Sequence, residues 1–137
     1  MSNIGLLPGM KFITDRLVKK PYSFEPRNEE QAKWWTYSYP VSSIVPMMKL
    51  IRHVRWTDLS KIKLPALWIY SDADIVVRAS STDKVVAKWG GPSLRADPPL
   101  GKGADTYAHV IAGDIVSPGN TKWAVKTIQD WLKPLLP

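Results

Sequence analysis

Apolar residues follow two different patterns along this chain. Residues 66–70 form an uninterrupted apolar run after Pro65, which is typical of a buried β-strand with the proline at its start, where no ladder N–H is lost. Elsewhere, apolar positions return every three or four residues, as on one face of an α-helix. Together with caps and breakers, this spacing predicts five helices: residues 1–20, from the Asn28 cap to just before Pro40, from Ser42 or Ser43 to Arg55, from Ser81 or Thr82 to Gly90, and from Gly119 to the C-terminal proline.

Strands are fewer than helices in this prediction. Besides residues 66–70, only residues 93–96 form a short candidate strand, which Asp97 and two prolines end. The pattern therefore predicts a helix-rich α/β protein with one or two sheet strands followed by a C-terminal helix. We expect one partial domain, in which residues 1–60 are a helical region and residues 61–137 carry the strands.

The helix predicted to end at Arg55 carries separate apolar and basic positions. His53 has no carboxylate or second histidine one turn away, so we expect it to be a surface or interface residue without a ligand role. We expect the apolar positions to face inward and the basic ones to be solvated, with Ile44, Met47, Met48 and Ile51 inside and Lys49, Arg52 and Arg55 outside.

Composition narrows the class of protein. The chain has 137 residues, of which 45% are hydrophobic and 23% charged, as in a globular domain. It has no cysteine, which excludes disulfides, thiolate metal sites and cysteine nucleophiles within these residues. No stretch approaches the roughly 18 apolar residues of a membrane span, and the first residues lack a secretory signal pattern. We therefore expect a cytoplasmic protein.

The net charge of +7 raises the possibility of nucleic acid or anionic lipid as a partner. The basic residues are dispersed, however, and no run of five occurs. No RNP, zinc-finger or helix-turn-helix pattern accompanies them. A solvated basic surface is the favoured interpretation, and nucleic-acid binding ranks last among the functional hypotheses.

Two residues have the types and order of a proton relay. Asp74 lies in a polar turn just past the C-terminal end of the predicted strand, where open α/β sheets place their chemistry. His109 lies in a later polar loop, ahead of the last helix. A buried carboxylate fixes the tautomer of an imidazole, and the imidazole can take up and return a proton near neutral pH. The alternative is a turn aspartate and a solvated loop histidine.

Three segments resemble parts of the α/β hydrolases. Residues 64–77 are similar to the acid-bearing segment of that family, with a proline, an apolar strand, a small turn and then an aspartate before apolar residues. Residues 109–114 and 117–121 resemble the histidine loop and last helix of a lipase- or esterase-like branch. The cap insertion of the same branch is similar to residues 23–30 together with Trp34, Trp35, Tyr39 and Pro40.

The resemblance implies roles for individual residues and a partial α/β-hydrolase fold with a helical cap segment. Asp74 would be the acid and His109 the general base of a serine hydrolase that acts on small carboxylic esters without a cofactor or metal. Asp72 remains an alternative acid, although the family pattern, with the acid immediately before the apolar pair, selects Asp74. Asp114 is expected to bond loop backbone or to be a surface residue.

The nucleophile of that family is missing from this sequence. It would lie in Gly-x-Ser-x-Gly before the acid, and no such motif occurs in residues 1–137. Without it and without oxyanion donors, we expect little or no esterase activity from the chain alone. Because a strand such as residues 66–70 expects neighbours on both sides, we also expect self-association through an exposed sheet edge.

Four aromatic residues lie close together before Pro40, namely Trp34, Trp35, Tyr37 and Tyr39. Packing between elements is the favoured interpretation, and a substrate pocket is the other. They also support a second hypothesis for the whole chain, a non-catalytic module that binds a protein or a small apolar ligand.

Overall fold

The computed structural model describes residues 20–136, and the chain divides into two compact units between Thr57 and Asp58. The helix predicted for residues 1–20 lies almost entirely outside the described residues. The described residues form a mixed α/β protein with four α-helices and two short two-stranded sheets, which agrees with the predicted α/β class. Within this range, every helix is too short or too polar to cross a bilayer.

The first unit contains a small antiparallel sheet, and a short helix lies between its two strands in the sequence. Strand β1 (Tyr22–Ser23) pairs with β2 (Ser38–Tyr39), and the rings of Tyr22 and Tyr39 lie 5.3 Å apart. The intervening helix is α1 (Glu29–Trp34).

The predicted cap of α1 is confirmed. Asn28 Oδ1 accepts the N–H of Gln31 at 2.8 Å, while Gln31 Oε1 accepts the N–H of Arg27 at 2.7 Å. The helix ends at Trp34 instead of continuing towards Pro40. Trp35 is already extended because the following aromatic and β-branched residues favour the strand that pairs with β1.

Helix α2 (Ile44–Trp56) follows a 3-10 turn over Val41–Ser43. Its innermost side chain is Val45, while Met48 and Ile51 are half-buried. The expected inward orientation of Ile44 and Met47 is wrong, because both side chains are exposed. The inward face is centred on Val45, and this rotation of the helix turns those two neighbours outward.

The second unit contains a parallel pair of strands. Strand β3 (Ala66–Ile69) pairs with β4 (Ser93–Ala96), with Ala66 opposite Ser93 and Ile69 opposite Ala96. Helix α3 (Ala79–Val86) connects them and begins two residues before Ser81, so the predicted cap at Ser81 or Thr82 is wrong. Arg78 occupies the cap position and makes no side-chain cap bond, because a guanidinium has no acceptor for the N–H groups of the first turn.

Two glycines after α3 allow the backbone to approach its neighbours closely. A Cβ on Gly90 would lie 1.8 Å from the carbonyl oxygen of Ser60, and a Cβ on Gly91 would lie 2.3 Å from that of Leu64. Trp89 donates its indole N–H to the same Leu64 carbonyl at 2.9 Å and meets the Trp68 ring edge-on. These contacts hold the start of β3 against the entry to β4.

The last helix, α4 (Thr121–Leu132), follows a 3-10 turn over Pro118–Asn120 and is followed by another over Lys133–Leu135. Ala124 is its buried residue, and Trp123 and Trp131 are half-buried. The helix therefore begins where the predicted one does and leaves α-helical geometry slightly before the C-terminal proline.

Candidate active site

The acid of the candidate site lies in the turn that follows β3. Ser71, which is only 2% exposed, begins this turn, and its hydroxyl accepts the N–H of Ala73 at 3.2 Å. The carbonyl of Ser71 accepts the N–H of Asp74 at 3.3 Å. Short side chains that bond to nearby backbone favour turns over helix or strand, which explains why the chain reverses here.

The Asp74 carboxylate has a fixed orientation. Its Oδ1 accepts the N–H of Val76 at 2.7 Å and that of Val77 at 2.9 Å. The side chain is only 10% exposed. With Oδ1 held by two backbone donors, Oδ2 is the oxygen left for another partner.

That partner is His109. Its Nδ1 lies 2.9 Å from Oδ2 of Asp74, and the imidazole is 42% exposed. With Asp74 ionised, Nδ1 is the protonated nitrogen that donates, so Nε2 carries the free lone pair. The structure thus brings together the two residues that the sequence pattern singled out as a relay, and their catalytic role remains a prediction.

The pKa of Asp74 lies below its usual value of 3.8. Burial by itself raises this pKa, since it disfavours the charged form. The hydrogen bond from His109 and those from the Val77 and Val76 N–H groups favour the carboxylate and together outweigh burial. Asp74 is therefore ionised at neutral pH and can stabilise a protonated imidazole.

Asp105 organises the histidine loop and was not recognised from the sequence. It is 4% exposed, and its Oδ2 accepts the N–H groups of His109 at 3.1 Å and Val110 at 2.9 Å. Its Oδ1 accepts the N–H of Tyr107 at 3.1 Å. Ala108 lies between them with a φ of 51°, in the left-handed region that costs a non-glycine residue energy. The spacing Asp-x-Tyr-x-His, typical of an aspartate that bonds backbone N–H groups ahead of it, is the signal that could have revealed this role.

The ends of the histidine loop are closed by main-chain and hydroxyl contacts. The N–H of Gly119 donates to the carbonyl of Gly103 at 2.9 Å, and Asp105 donates its N–H to the fully buried Ser117 hydroxyl at 3.1 Å. A Cβ on Gly119 would lie 2.3 Å from the Lys102 carbonyl oxygen, so this approach requires glycine. Residues 104–118 consequently form a compact loop of the Ω type.

The alternative acid, Asp72, has a different partner. Its Oδ1 lies 2.8 Å from Nη2 of Arg95 on β4, and its side chain is 70% exposed. The Arg95 guanidinium also stacks over the Tyr70 ring at 4.2 Å. Burial raises the pKa of Tyr70, as does the hydrogen bond from its hydroxyl to Asp83. The structure therefore places Asp74, and not Asp72, against His109.

Neither Asp114 nor any serine hydroxyl among the described residues adds a third hydrogen-bonded group to the Asp74–His109 pair. Asp114 is exposed, and no hydrogen bond of its carboxylate is found within residues 20–136. Over the same range, no serine hydroxyl is hydrogen-bonded to the His109 ring. No cluster of metal-ligating side chains is found there either. The arrangement can hold and transfer a proton at Nε2, and it contains no recognisable nucleophile beside that nitrogen.

Comparisons with protein-family models, with curated proteins and with solved structures gave no match for this chain.

Proposed function

We propose that the second unit supplies the acid and the general base of a serine α/β hydrolase that acts on carboxylic esters. The observation that carries this proposal is the 2.9 Å separation between Nδ1 of His109 and Oδ2 of Asp74. The order of these residues after a parallel strand and before the last helix supports it. In this proposal the second unit is the C-terminal part of an α/β-hydrolase fold, and the first unit corresponds to the helical cap segment.

The chemistry depends on the nitrogen that remains free. Nε2 of His109 takes the proton of a serine hydroxyl as the oxygen attacks the ester carbonyl. The imidazolium is stabilised by Asp74 and returns the proton to the departing alcohol. A water molecule then repeats the sequence on the acyl-serine, which releases the acid and restores the hydroxyl.

In this proposal, the nucleophilic serine is not one of residues 1–137. No Gly-x-Ser-x-Gly occurs in residues 1–137, so the proposed site is completed by a nucleophile and oxyanion donors that these residues do not provide. The chain alone is expected to hydrolyse esters little or not at all.

The experiment that tests this proposal measures the imidazole tautomer by ¹⁵N NMR in the chain and in Asp74→Asn. Because two backbone N–H groups fix the oxygen at the Oδ1 position, asparagine must direct its NH₂ group towards His109. Nδ1 then has to accept, and the proton moves to Nε2. We expect the Nδ1–H tautomer in the unmodified chain and the Nε2–H tautomer in Asp74→Asn, with His53 unchanged as the internal reference.

Two results would contradict the proposal. The first is an Nε2–H tautomer of His109 in the unmodified chain, since such a nitrogen cannot take a proton from a hydroxyl. The second is hydrolysis of p-nitrophenyl butyrate by the chain alone that is lost in His109→Ala and kept in His53→Ala. This result would agree with the role of His109 but would contradict the part of the proposal that places the nucleophile outside these residues.

A second candidate is a non-catalytic binding module. The observation that favours it is the exposure of aromatic side chains in the first unit, where Trp34 is 65% and Tyr22 54% exposed. Such a module needs neither Asp74 nor His109. Binding that survives the double substitution Asp74→Ala/His109→Ala would favour this candidate over the hydrolase.

A further inference from the structure

Helix α2 presents an apolar stripe on its exposed side. Ile44, Met47, Leu50 and Val54 lie three or four residues apart, so their side chains fall on one side of the helix. Their exposed fractions range from 37% for Val54 to 63% for Leu50. Four large aliphatic side chains in one row are more than the single exposed residues that an ordinary surface carries.

The same helix is basic throughout. Lys49, Arg52 and Arg55 project from it, and no aspartate or glutamate occurs anywhere in residues 31–57. Among the described residues, none of these three side chains forms an ion pair. Basic charge that is dispersed along the whole sequence is thus concentrated on this helix. Helical spacing places Lys49 and Arg52 in one row, on the side opposite the apolar stripe, so the exposed surface of α2 is amphipathic.

Trp56, the last residue of α2, is 73% exposed, and the Arg52 guanidinium lies over its ring at 4.1 Å. In the same unit, the ammonium group of Lys33 lies 4.8 Å from the centre of the exposed Trp34 ring. By helical spacing Trp56 lies in the same row as Arg52, so its ring belongs to the basic side of α2, where an amphipathic aromatic ring and a cation can both contact polar head groups.

We propose that α2 docks on an anionic phospholipid surface, lying in the plane of the membrane. The stripe of Ile44, Met47, Leu50 and Val54 enters the boundary between head groups and acyl chains, while Lys49, Arg52 and Arg55 contact the phosphates. Nucleic acid fits this helix less well, because binding to a phosphate backbone would leave the four aliphatic side chains exposed to water. The proposal concerns the first unit and is independent of the Asp74–His109 pair.

The test is co-sedimentation of the full chain with vesicles. We expect binding to phosphatidylcholine vesicles that contain about 30% phosphatidylserine, and at least tenfold weaker binding to vesicles of phosphatidylcholine alone. Raising the salt from about 0.1 M to about 0.5 M should weaken the binding, because it screens the attraction.

Matched variants separate the two contributions. Lys49→Gln/Arg52→Gln/Arg55→Gln is expected to lose roughly a hundredfold in affinity, since each basic residue near such a surface contributes about fivefold. The control Lys122→Gln/Lys126→Gln/Lys133→Gln removes the same number of charges from the C-terminal helical segment and should change affinity far less. Leu50→Gln/Val54→Gln should weaken binding with the charges kept, and because both side chains are exposed these substitutions should leave the fold intact.

Three results would overturn the proposal. Absence of binding to anionic vesicles would show that the stripe is covered by another part of the chain or by a protein partner. Equal weakening by the α2 and control lysine variants would indicate attraction by net charge alone. Tight binding to an oligonucleotide that exceeds vesicle binding and depends on the same three basic residues would assign the face to nucleic acid.

Discussion

The carboxylate of Asp105 accepts the main-chain N–H of His109 at 3.1 Å, so the base of the candidate relay is held by a second carboxylate besides Asp74. One carboxylate holds the imidazole and the other holds the backbone that carries it. The Asp105 carboxylate therefore sets the loop conformation together with main-chain contacts at the ends of the loop and a bond from Gly113 N–H to the Thr121 hydroxyl.

Replacing Asp105 should release the histidine loop. In Asp105→Ala, three backbone N–H groups lose their acceptor in a buried position, and each such group costs about 1–3 kcal/mol when nothing replaces the bond. We expect a loss of about 2–4 kcal/mol in the free energy of unfolding by urea, after allowing for partial solvation of the opened loop.

Asp114→Asn is the matched control, because it alters an exposed aspartate of the same loop. Its effect should stay within about 0.5 kcal/mol. A loss in Asp105→Ala no larger than in this control would show that the loop does not depend on the buried carboxylate.

The acid stability of the second unit should depend on Asp74. Its pKa is lowered in the folded state, so its contribution to stability is complete above the unfolded value, near 3.8, and is lost as the pH falls through the lower folded value. The difference in urea midpoint between the unmodified chain and Asp74→Asn is expected to be largest at neutral pH and to shrink below about pH 4.

Asp114→Asn is again the comparison, since it should leave the shape of the acid transition unchanged. A stability difference for Asp74→Asn that stays constant from neutral pH to about pH 2.5 would contradict the linkage between Asp74 ionisation and folding.

Gly90→Ala should disrupt the contact between the segments before β3 and before β4. The new Cβ would lie 1.8 Å from the Ser60 carbonyl oxygen, which is a backbone atom and cannot rotate away. Overpacking of this kind costs about 1–3 kcal/mol, and we expect a value at the upper end, measured as a lowered thermal midpoint.

Gly101→Ala offers a direct comparison, because its Cβ would meet nothing within 4 Å. It should be neutral or stabilise the fold by up to about 1 kcal/mol through the unfolded chain. Similar losses for both alanine variants would rule out the steric explanation.

Self-association through the small parallel sheet is a further expectation. Within the described residues, β3 and β4 pair only with each other, so each strand has one edge of unpaired N–H and C=O groups. Sedimentation equilibrium should show a mass that rises with concentration. Leu94→Lys, on the exposed face of β4, should weaken the association, because edge lysines oppose strand pairing.

Leu100→Lys is the control for that substitution, since Leu100 is similarly exposed but lies in a loop. A monomer mass independent of concentration would refute strand-mediated assembly.

Local sequence signals predicted the elements that depend on neighbouring residues. The Asn28 cap rests on a contact three positions away, and the strands at residues 66–69 and 93–96 were recognisable from the residues within and beside each run. The pairing of these two strands joins distant residues, and local signals did not predict it. The pairing of Asp74 with His109 was predictable only through the order of strand, turn and loop, since the two residues are 35 positions apart. The order could be predicted from the residues, whereas the contact is seen only in the structure.

The features that were missed depend on tertiary packing. The direction that α2 faces is set by which residue packs innermost, and helical spacing alone does not choose between Val45 and its neighbours Ile44 and Met47. The role of Asp105 arises from backbone groups that converge only when the loop closes between Gly103 and Gly119. Periodicity carries no signal for such convergence, because the loop has no repeating structure.

The main-chain bond from Ile75 to Tyr107, at 3.2 Å, joins the turn that carries the acid to the loop that carries the base. Any excursion that detaches the loop breaks this bond together with the contact between imidazole and carboxylate. Amide hydrogen exchange at residues 75 and 109 should consequently report one shared opening rate. The Ile75–Tyr107 bond and the contact between Asp74 and His109 should therefore be lost in the same opening event.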